Sequence, residues 1–559
     1  MKTTTAILLV LAVGVLATAP VVGLTGCESP VGSMAMREAC YVGVHRDAPA
    51  PVGTQRPAIA PTYVQASSSP AQPAPAPLRR QHEEGAFNTE TYDRVVSNPF
   101  VRVTDRPLST FSIDVDTASY SNVRRFLRAG RLPPKGAVRV EELINYFRYD
   151  YAPPKGDAPF ATHVEIAACP WNTAHRLVRI GLKGKVVRNA SRPASNLVFL
   201  LDVSGSMRPA NKLPLVRKAM ALLTEQLGEN DRVAIVVYAA ASGLVLPPTG
   251  CDRKETVLAA LDRLTAGGST NGGQGIRLAY RTAAKSFVRG GTNRVILCTD
   301  GDFNVGVTDQ SELLRLIESN AKGGVFLSVL GFGMGNYKDS TLEKLADKGN
   351  GNYAYIDDLA EAKKVLVEQM TGTLVTIAKD VKIQVEFNPT RVAAYRLIGY
   401  ENRLLRKEDF NDDAKDAGEI GAGHTVTALY EVVPAGREID TPAVDGLKYQ
   451  AAVTLTDAAR SSETLMLKLR YKAPDGEKSK LLVLPVTDGG KSFSNASADF
   501  RFAAAVASFG MILRESKHKG NYTIDGVIEL AASSLGHDES PYRTEFLALA
   551  RKAKSLMAK

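Results

Sequence analysis

The stretch Leu197-Val198-Phe199-Leu200-Leu201-Asp202-Val203-Ser204-Gly205-Ser206-Met207 sets the tightest limit on what this chain can fold into. Five successive apolar residues run into an acid, and hydroxyls follow at alternate positions. An unbroken apolar run of this length suits a strand covered on both faces, as in a parallel sheet between helices. Leaving the carboxyl end of such a strand, the chain reaches the crevice where open α/β sheets bind ligands. Asp202, Ser204 and Ser206 then offer one carboxylate and two hydroxyl oxygens on an edge turn, hard donors of the kind Mg²⁺ takes in an octahedron. Alone, the pattern reads more readily as a simple turn or helix cap.

Two later stretches add to it. Gly267-Gly268-Ser269-Thr270-Asn271-Gly272 is a glycine-rich turn ahead of a helical segment, 274–288, and presents the Thr270 hydroxyl. Arg294-Val295-Ile296-Leu297-Cys298-Thr299-Asp300-Gly301 is a second buried-strand pattern ending in an acid. Around them strands and helices alternate: helix 212–227, strand 232–238, helix 256–264, helix 311–321, strand 325–330, helix 340–348, strand 353–356 and helix 359–370. Strands separated by helices of this length imply a parallel, doubly wound sheet with right-handed crossovers.

The set Asp202, Ser204, Ser206, Thr270 and Asp300 resembles the metal-ion-dependent adhesion site of von Willebrand factor type A domains, which use D-x-S-x-S, then Thr, then Asp in a T-D-G-like turn. The resemblance covers roughly residues 195–370. It implies a divalent cation, Mg²⁺ with Mn²⁺ or Ca²⁺ as alternatives, held directly by hydroxyls and through water by one or both acids. An acidic group of a protein partner would complete the octahedron.

The chain start has the anatomy of a secretory signal peptide: a basic Met1-Lys2-Thr3, an apolar run over 6–24, then Leu24-Thr25-Gly26-Cys27. Leu-Thr-Gly-Cys resembles the lipobox of bacterial lipoproteins, which implies lipidation at Cys27. Glu28 in place of Asp then suggests the outer membrane, facing the periplasm, in a two-membrane cell, and otherwise the cell surface. Eight prolines between Ala48 and Pro77 mark a tether. Fully extended, its roughly 68 residues would reach about 200 Å at ~3.1 Å each. The other cysteines, Cys40, Cys169, Cys251 and Cys298, show no zinc-like spacing, and no disulfide is assigned.

Order returns near Asn98, with strand 111–116, helix 117–129, helix 140–147 and strands 163–168 and 177–182. Asp114 and Asp116 could suggest a second cation site, but Asp116 stands where a helix N-cap belongs and no other acids cluster nearby. This stretch resembles the N-terminal companion domain of bacterial von Willebrand factor type A lipoproteins. It also carries the basic charge: 16 Lys or Arg against 8 Asp or Glu over 96–194, compared with 20 against 19 over 195–370. An anionic partner surface, such as lipid headgroups or envelope polymers, is one reading of that excess, and a solvated face of scattered arginines is the preferred one. The chain lacks an aromatic-interleaved basic motif, which argues against nucleic acid.

Beyond Thr371 the hydrophobic period becomes two: strands 381–387, 426–433, 449–455, 465–471 and 481–485, then helices 500–514, 525–534 and 542–557. The helical end resembles the C-terminal domain of the same lipoproteins. The expected architecture is a doubly wound, mostly parallel α/β domain inserted between flanks that build one β-sandwich, with C-terminal helices. The expected divisions are signal peptide 1–26, lipidated tether 27–95, companion domain 96–194, adhesion-type domain 195–372 and C-terminal domain 373–559.

Three functions compete. A non-enzymatic binding or scaffold protein uses the ion to capture a partner carboxylate. A metal-assisted hydrolase needs a base, and only Asp302 is in reach by sequence; none of the seven histidines lies in the central domain, and no phosphate loop or nucleophile elbow is present. A purely structural ion would hold the loops with no partner. The binding reading is preferred.

Overall fold

The computed structural model describes residues 90–187, 191–301, 310–334, 338–415, 417–439, 454–536, 538 and 540–558. Cys27, Cys40, the signal peptide and nearly all of the tether lie outside these residues, as does most of the strand expected at 449–455. Among the described residues no helix is long and apolar enough to cross a membrane.

In chain order the first flank contains β1 (Val101–Arg102), β2 (Leu108–Ser112), α1 (Ala118–Arg128), α2 (Val140–Asn145), β3 (Phe160–Ala168) and β4 (Arg176–Gly184). The centre follows with β5 (Ser195–Asp202), α3 (Leu213–Gln226), β6 (Arg232–Tyr238), β7 (Ser242–Gly250), α4 (Lys254–Asp262), α5 (Gly272–Lys285) and β8 (Thr292–Thr299). It continues with α6 (Gln310–Lys322), β9 (Val325–Phe332), α7 (Asp339–Lys348), β10 (Tyr353–Ile356), α8 (Leu359–Lys363) and α9 (Met370–Leu374). The second flank supplies β11 (Thr376–Phe387), β12 (Val392–Ile398), β13 (Gly418–Gly421), β14 (Thr425–Pro434), β15 (Leu465–Lys472) and β16 (Lys480–Val486). Three helices close the chain: α10 (Ala498–Leu513), α11 (Ile524–Ala532) and α12 (Tyr542–Met557).

The apolar run that opens the centre is a buried strand with helices on both faces. Leu197, Phe199 and Leu201 enter one core with Val216, Met220 and Val257, whereas Val198 and Leu200 enter the other with Ile276, Leu313 and Leu345. The strand order is β10-β9-β8-β5-β6-β7. All pairs are parallel except β6–β7. That antiparallel edge strand was not expected. It contains Pro247 and Pro248, which only an edge tolerates because they cannot donate to a ladder.

The flanks share two antiparallel sheets. One runs β1-β12-β14-β4-β3; the other runs β13-β11-β15-β16, with β2 also on β11. Their common core joins Phe160, Val178 and Ile180 of the first flank to Val385, Leu397, Tyr430 and Leu467 of the second. The α/β centre is therefore inserted between β4 and β11 of one sandwich. A separate helical core packs α1 and α2 against α10, α11 and α12 through Leu143, Phe147, Phe502, Phe509 and Phe546.

Three expectations are corrected. Asp116 is not an N-cap; its Oδ1 accepts the Tyr353 N–H at 2.9 Å and its Oδ2 faces Arg403. The same guanidinium sits 3.1 Å from Asp114, filling the space a second cation would need. The helix expected at 359–370 is broken by a π-helical turn over Lys364–Glu368, where Lys364 Nζ is buried and donates to Tyr146 O at 2.8 Å. The companion arginines are a solvated face only in part: Arg106, Arg128, Arg131 and Arg148 are exposed, whereas Arg124, Arg125, Arg139 and Arg179 are buried. Arg124 is 2% exposed and pairs with Asp357, Glu361 and Glu545, while Arg139 pairs with Asp339, Glu343 and Glu142. Cys169, Cys251 and Cys298 are buried and free, Cys298 beside Met220 in the sheet core as expected of a small apolar filler.

Candidate metal centre

Asp202 ends β5 in the middle of the sheet and is fully buried. The last ladder contact is Val203 N–H to Tyr238 O at 3.0 Å, after which the chain turns. Asp202 Oδ1 accepts the Ser204 N–H at 2.9 Å, closing an Asx turn that satisfies a backbone donor without a strand partner. A single 3₁₀ turn, Gly205–Met207, follows, anchored by the buried Met207. It sets the Ser204 and Ser206 hydroxyls 3.0 Å apart. One carboxylate and two hydroxyls thus occupy one edge turn.

The glycine-rich loop is bonded onto that turn. Gly267 N–H donates to Val203 O at 2.7 Å, and Gly205 N–H donates to Gly268 O at 2.9 Å. Gly268 has φ +83°, a left-handed conformation in which a side chain would be strained. Thr270 comes two residues later, half-buried, just before α5 begins.

Asp300 follows β8, the parallel neighbour of β5, and is fully buried. Its neighbour Thr299 lies with Oγ1 3.5 Å from Asp202 Oδ2, spanning the two strand ends. Lys212 Nζ, from the residue before α3, donates to Asp300 Oδ2 at 2.7 Å. The lysine stem lies on Gly333, where a Cβ would collide with it. Asp302 lies outside the described residues.

Burial pushes the Asp202 carboxyl up to about 6; Ser204 opposes the shift and Asp300 adds to it. Two carboxylates gathered in a buried place disfavour their own charge, and a cation between them would reverse that penalty. The Tyr238 phenol, buried beneath, is pushed well above its ordinary range by burial and by Asp202. Among the described residues no cluster of three or more His, Cys, Asp or Glu could hold a metal. Any ion here would therefore depend on the hydroxyls, as hard oxygen donors suited to Mg²⁺ or Ca²⁺. The donor types fit such an ion; the Lys212 ammonium competes with it for Asp300.

Lys212, Tyr238 and Thr299 were not read from sequence. Tyr238 had a weak signal, standing at the end of the strand that neighbours Asp202. His175 Nδ1 contacts Glu431 at 2.7 Å and His163 Nε2 contacts Ala152 O at 2.9 Å, both in the first flank.

The von Willebrand factor type A domain profile matches residues 196–369, and a profile described as von Willebrand factor matches 86–179. The profile described as Uncharacterized protein YfbK, C-terminal, matches 372–556. Uncharacterized protein YfbK of Escherichia coli (strain K12) is 44% identical over 468 residues, covering 82% of this chain and 80% of that protein. Uncharacterized protein sll0103 of Synechocystis sp. is 29% identical over 190 residues, covering 34% of this chain and 44% of that one. Among solved structures, von Willebrand factor type A from Catenulispora acidiphila aligns at 16% identity over 70% of this chain and 89% of that one, with a TM-score of 0.39. Type A domains commonly hold a divalent metal at an adhesion site and mediate protein–protein contacts. With both profiles matched and four-fifths of each chain aligned, this chain belongs to the YfbK family of proteins that carry a von Willebrand factor type A domain and the YfbK C-terminal domain.

Proposed function

We propose that the chain is a membrane-anchored, non-enzymatic binding or scaffold protein of the cell envelope. In this reading Asp202, Ser204, Ser206, Thr270 and Asp300 hold a divalent cation, Mg²⁺ first, and a carboxylate of a protein partner completes its coordination. Cys27 carries the lipid and the segment to residue 95 is the tether. Residues 96–194, 195–372 and 373–559 are the companion, adhesion-type and C-terminal domains.

One observation supports the reading above others: hydroxyl and carboxylate oxygens from two adjacent strand ends meet at one sheet edge, with the Thr270 loop hydrogen-bonded onto it. Lys212 bears on the alternatives. It already pairs with Asp300, a charge that a purely structural ion would otherwise have to offset, which weighs against that reading. A hydrolase would need a free base beside Asp202, and the neighbouring Lys212 is committed to Asp300.

Crosslinking in cells, wild type against Asp202→Ala and Thr270→Ala, tests the proposal. A partner should be lost from both variants and from chelator-treated wild type, while thermal melts stay cooperative. Capture unchanged in chelator would overturn it.

A further inference from the structure

The opposite end of β8 holds a buried cation with no ion pair of its own. Arg294 is 1% exposed, yet among the described residues no carboxylate lies within ion-pair distance of it. Nη1 donates to Ser328 Oγ at 2.6 Å, the guanidinium lies 5.6 Å from the Phe326 ring centre, and Nε has no partner. Arg124, equally buried, has three carboxylates. A buried ionised group left unpaired is costly, so its neighbourhood calls for explanation. Burial alone pulls the Arg294 guanidinium down to about 10, with the Glu419 charge opposing.

Beside Arg294 is a cavity of about 250 Å³ between the α/β centre and the sandwich. That is room for a cluster of waters or for a small metabolite. Its wall carries Asn350, Asn352 and Thr373 as polar groups. Of the acids on the wall, Asp347 and Asp114 face Arg403 at 2.6 and 3.1 Å, while Glu419 accepts from Thr376 Oγ1 at 2.9 Å and is the one whose charge reaches Arg294. Lys348 pairs with Glu318 at 2.8 Å. Arg294 is the wall cation with donors to spare, and a guanidinium fork matches a carboxylate or phosphate face.

We propose that this cavity binds a small oxyanion, a carboxylate- or phosphate-bearing metabolite, anchored on Arg294. The site is separate from the metal edge: six residues of strand at ~3.3 Å each put it about 20 Å from Asp300. Its occupant would touch β8, the loop between α7 and β10, the link from α9 to β11, and the sandwich together, and so would clamp the inserted domain to its platform.

Calorimetric titration of the full chain with sodium phosphate and with succinate, against chloride at matched ionic strength, tests this. Saturable binding of either or both supports the site, and the pattern tells phosphate from carboxylate preference. Arg294→Met should weaken binding at least tenfold. Thr373→Met, which narrows the cavity but leaves the guanidinium, should also weaken it and covers the case where Arg294→Met does not fold. Asp202→Ala should bind as wild type does, so failure of the metal reading leaves this result intact. No heat with either anion, or equal binding by the folded Arg294 and Thr373 variants, would overturn the proposal.

Discussion

Lys212 Nζ stands 2.7 Å from Asp300 Oδ2, with the two side chains 7% and 0% exposed. At the edge where a cation is proposed, the chain thus supplies a cation of its own. The ammonium shields Asp300 when no metal is bound and must yield, at least partly, when one arrives. The proposed site is built to exchange its ion.

Lys212→Met separates these roles. Without the ammonium, Asp300 is a buried charge lacking its partner, and metal-free stability should fall by about 3–5 kcal/mol. Mg²⁺ should restore more stability to this variant than to wild type, approaching ~2.7 kcal/mol at a hundredfold excess over Kd. Denaturant unfolding with and without Mg²⁺ measures both; equal Mg²⁺ increments in the two proteins would refute the competition.

Arg139 ties the first flank to the inserted centre. It donates to Asp339 at 3.0 Å and to Glu142 at 3.1 Å, and it also contacts Glu343. Arg139→Met should cost about 3–5 kcal/mol, because three buried acids lose their shared cation. Adding Glu343→Gln should recover part of the loss, since one of those charges disappears. A double variant no more stable than the single would count against a charge origin.

His424 gives a pH signature. Burial, with Lys183 and Arg148 adding to it, pulls its imidazole down to about 4. The folded protein thus refuses a proton that the unfolded chain accepts near pH 6.5. This contribution is fully present above pH 6.5 and is lost as pH falls toward 4. The stability difference between wild type and His424→Gln should therefore shift against wild type across that window in chemical denaturation. A difference that does not vary with pH would sink the assignment.

Residues 195–372 expressed alone should fold, because both faces of the sheet are covered by the unit's own helices. Residues 375–559 alone should not, since β11 loses β2 and β14 loses β4. Dispersed amide spectra from the isolated C-terminal fragment would contradict this.

Local patterns reveal what a few consecutive residues dictate. Asp202, Ser204, Ser206 and Asp300 were legible because a buried apolar run must end at a sheet edge, and polar residues just past that end have one place to go. The shared sandwich was legible from period-two strands on either side of an α/β pattern. What escaped depends on distant partners. Lys212 reads as a surface lysine until Asp300 is known to lie beside it, and Asp116 reads as a cap until Tyr353 and Arg403 are placed on it. The edge strand β7 was hidden by its two prolines. Arg124 and Arg139 could not be told from the exposed arginines of the first flank because the acids they meet are some 200 residues further on.

Insertion of the centre between β4 and β11 has a consequence for biosynthesis. Ile180 must wait for Ala428, its partner across the sheet. At about 5–20 residues per second a ribosome needs roughly 12–50 s to cover that gap. Throughout it, the β3–β4 hairpin of a nascent chain has an unclaimed edge and a half-made core, while the inserted unit can already be complete. The hairpin is therefore the part of the chain that stays longest without its neighbours, and the sandwich is the last core to close.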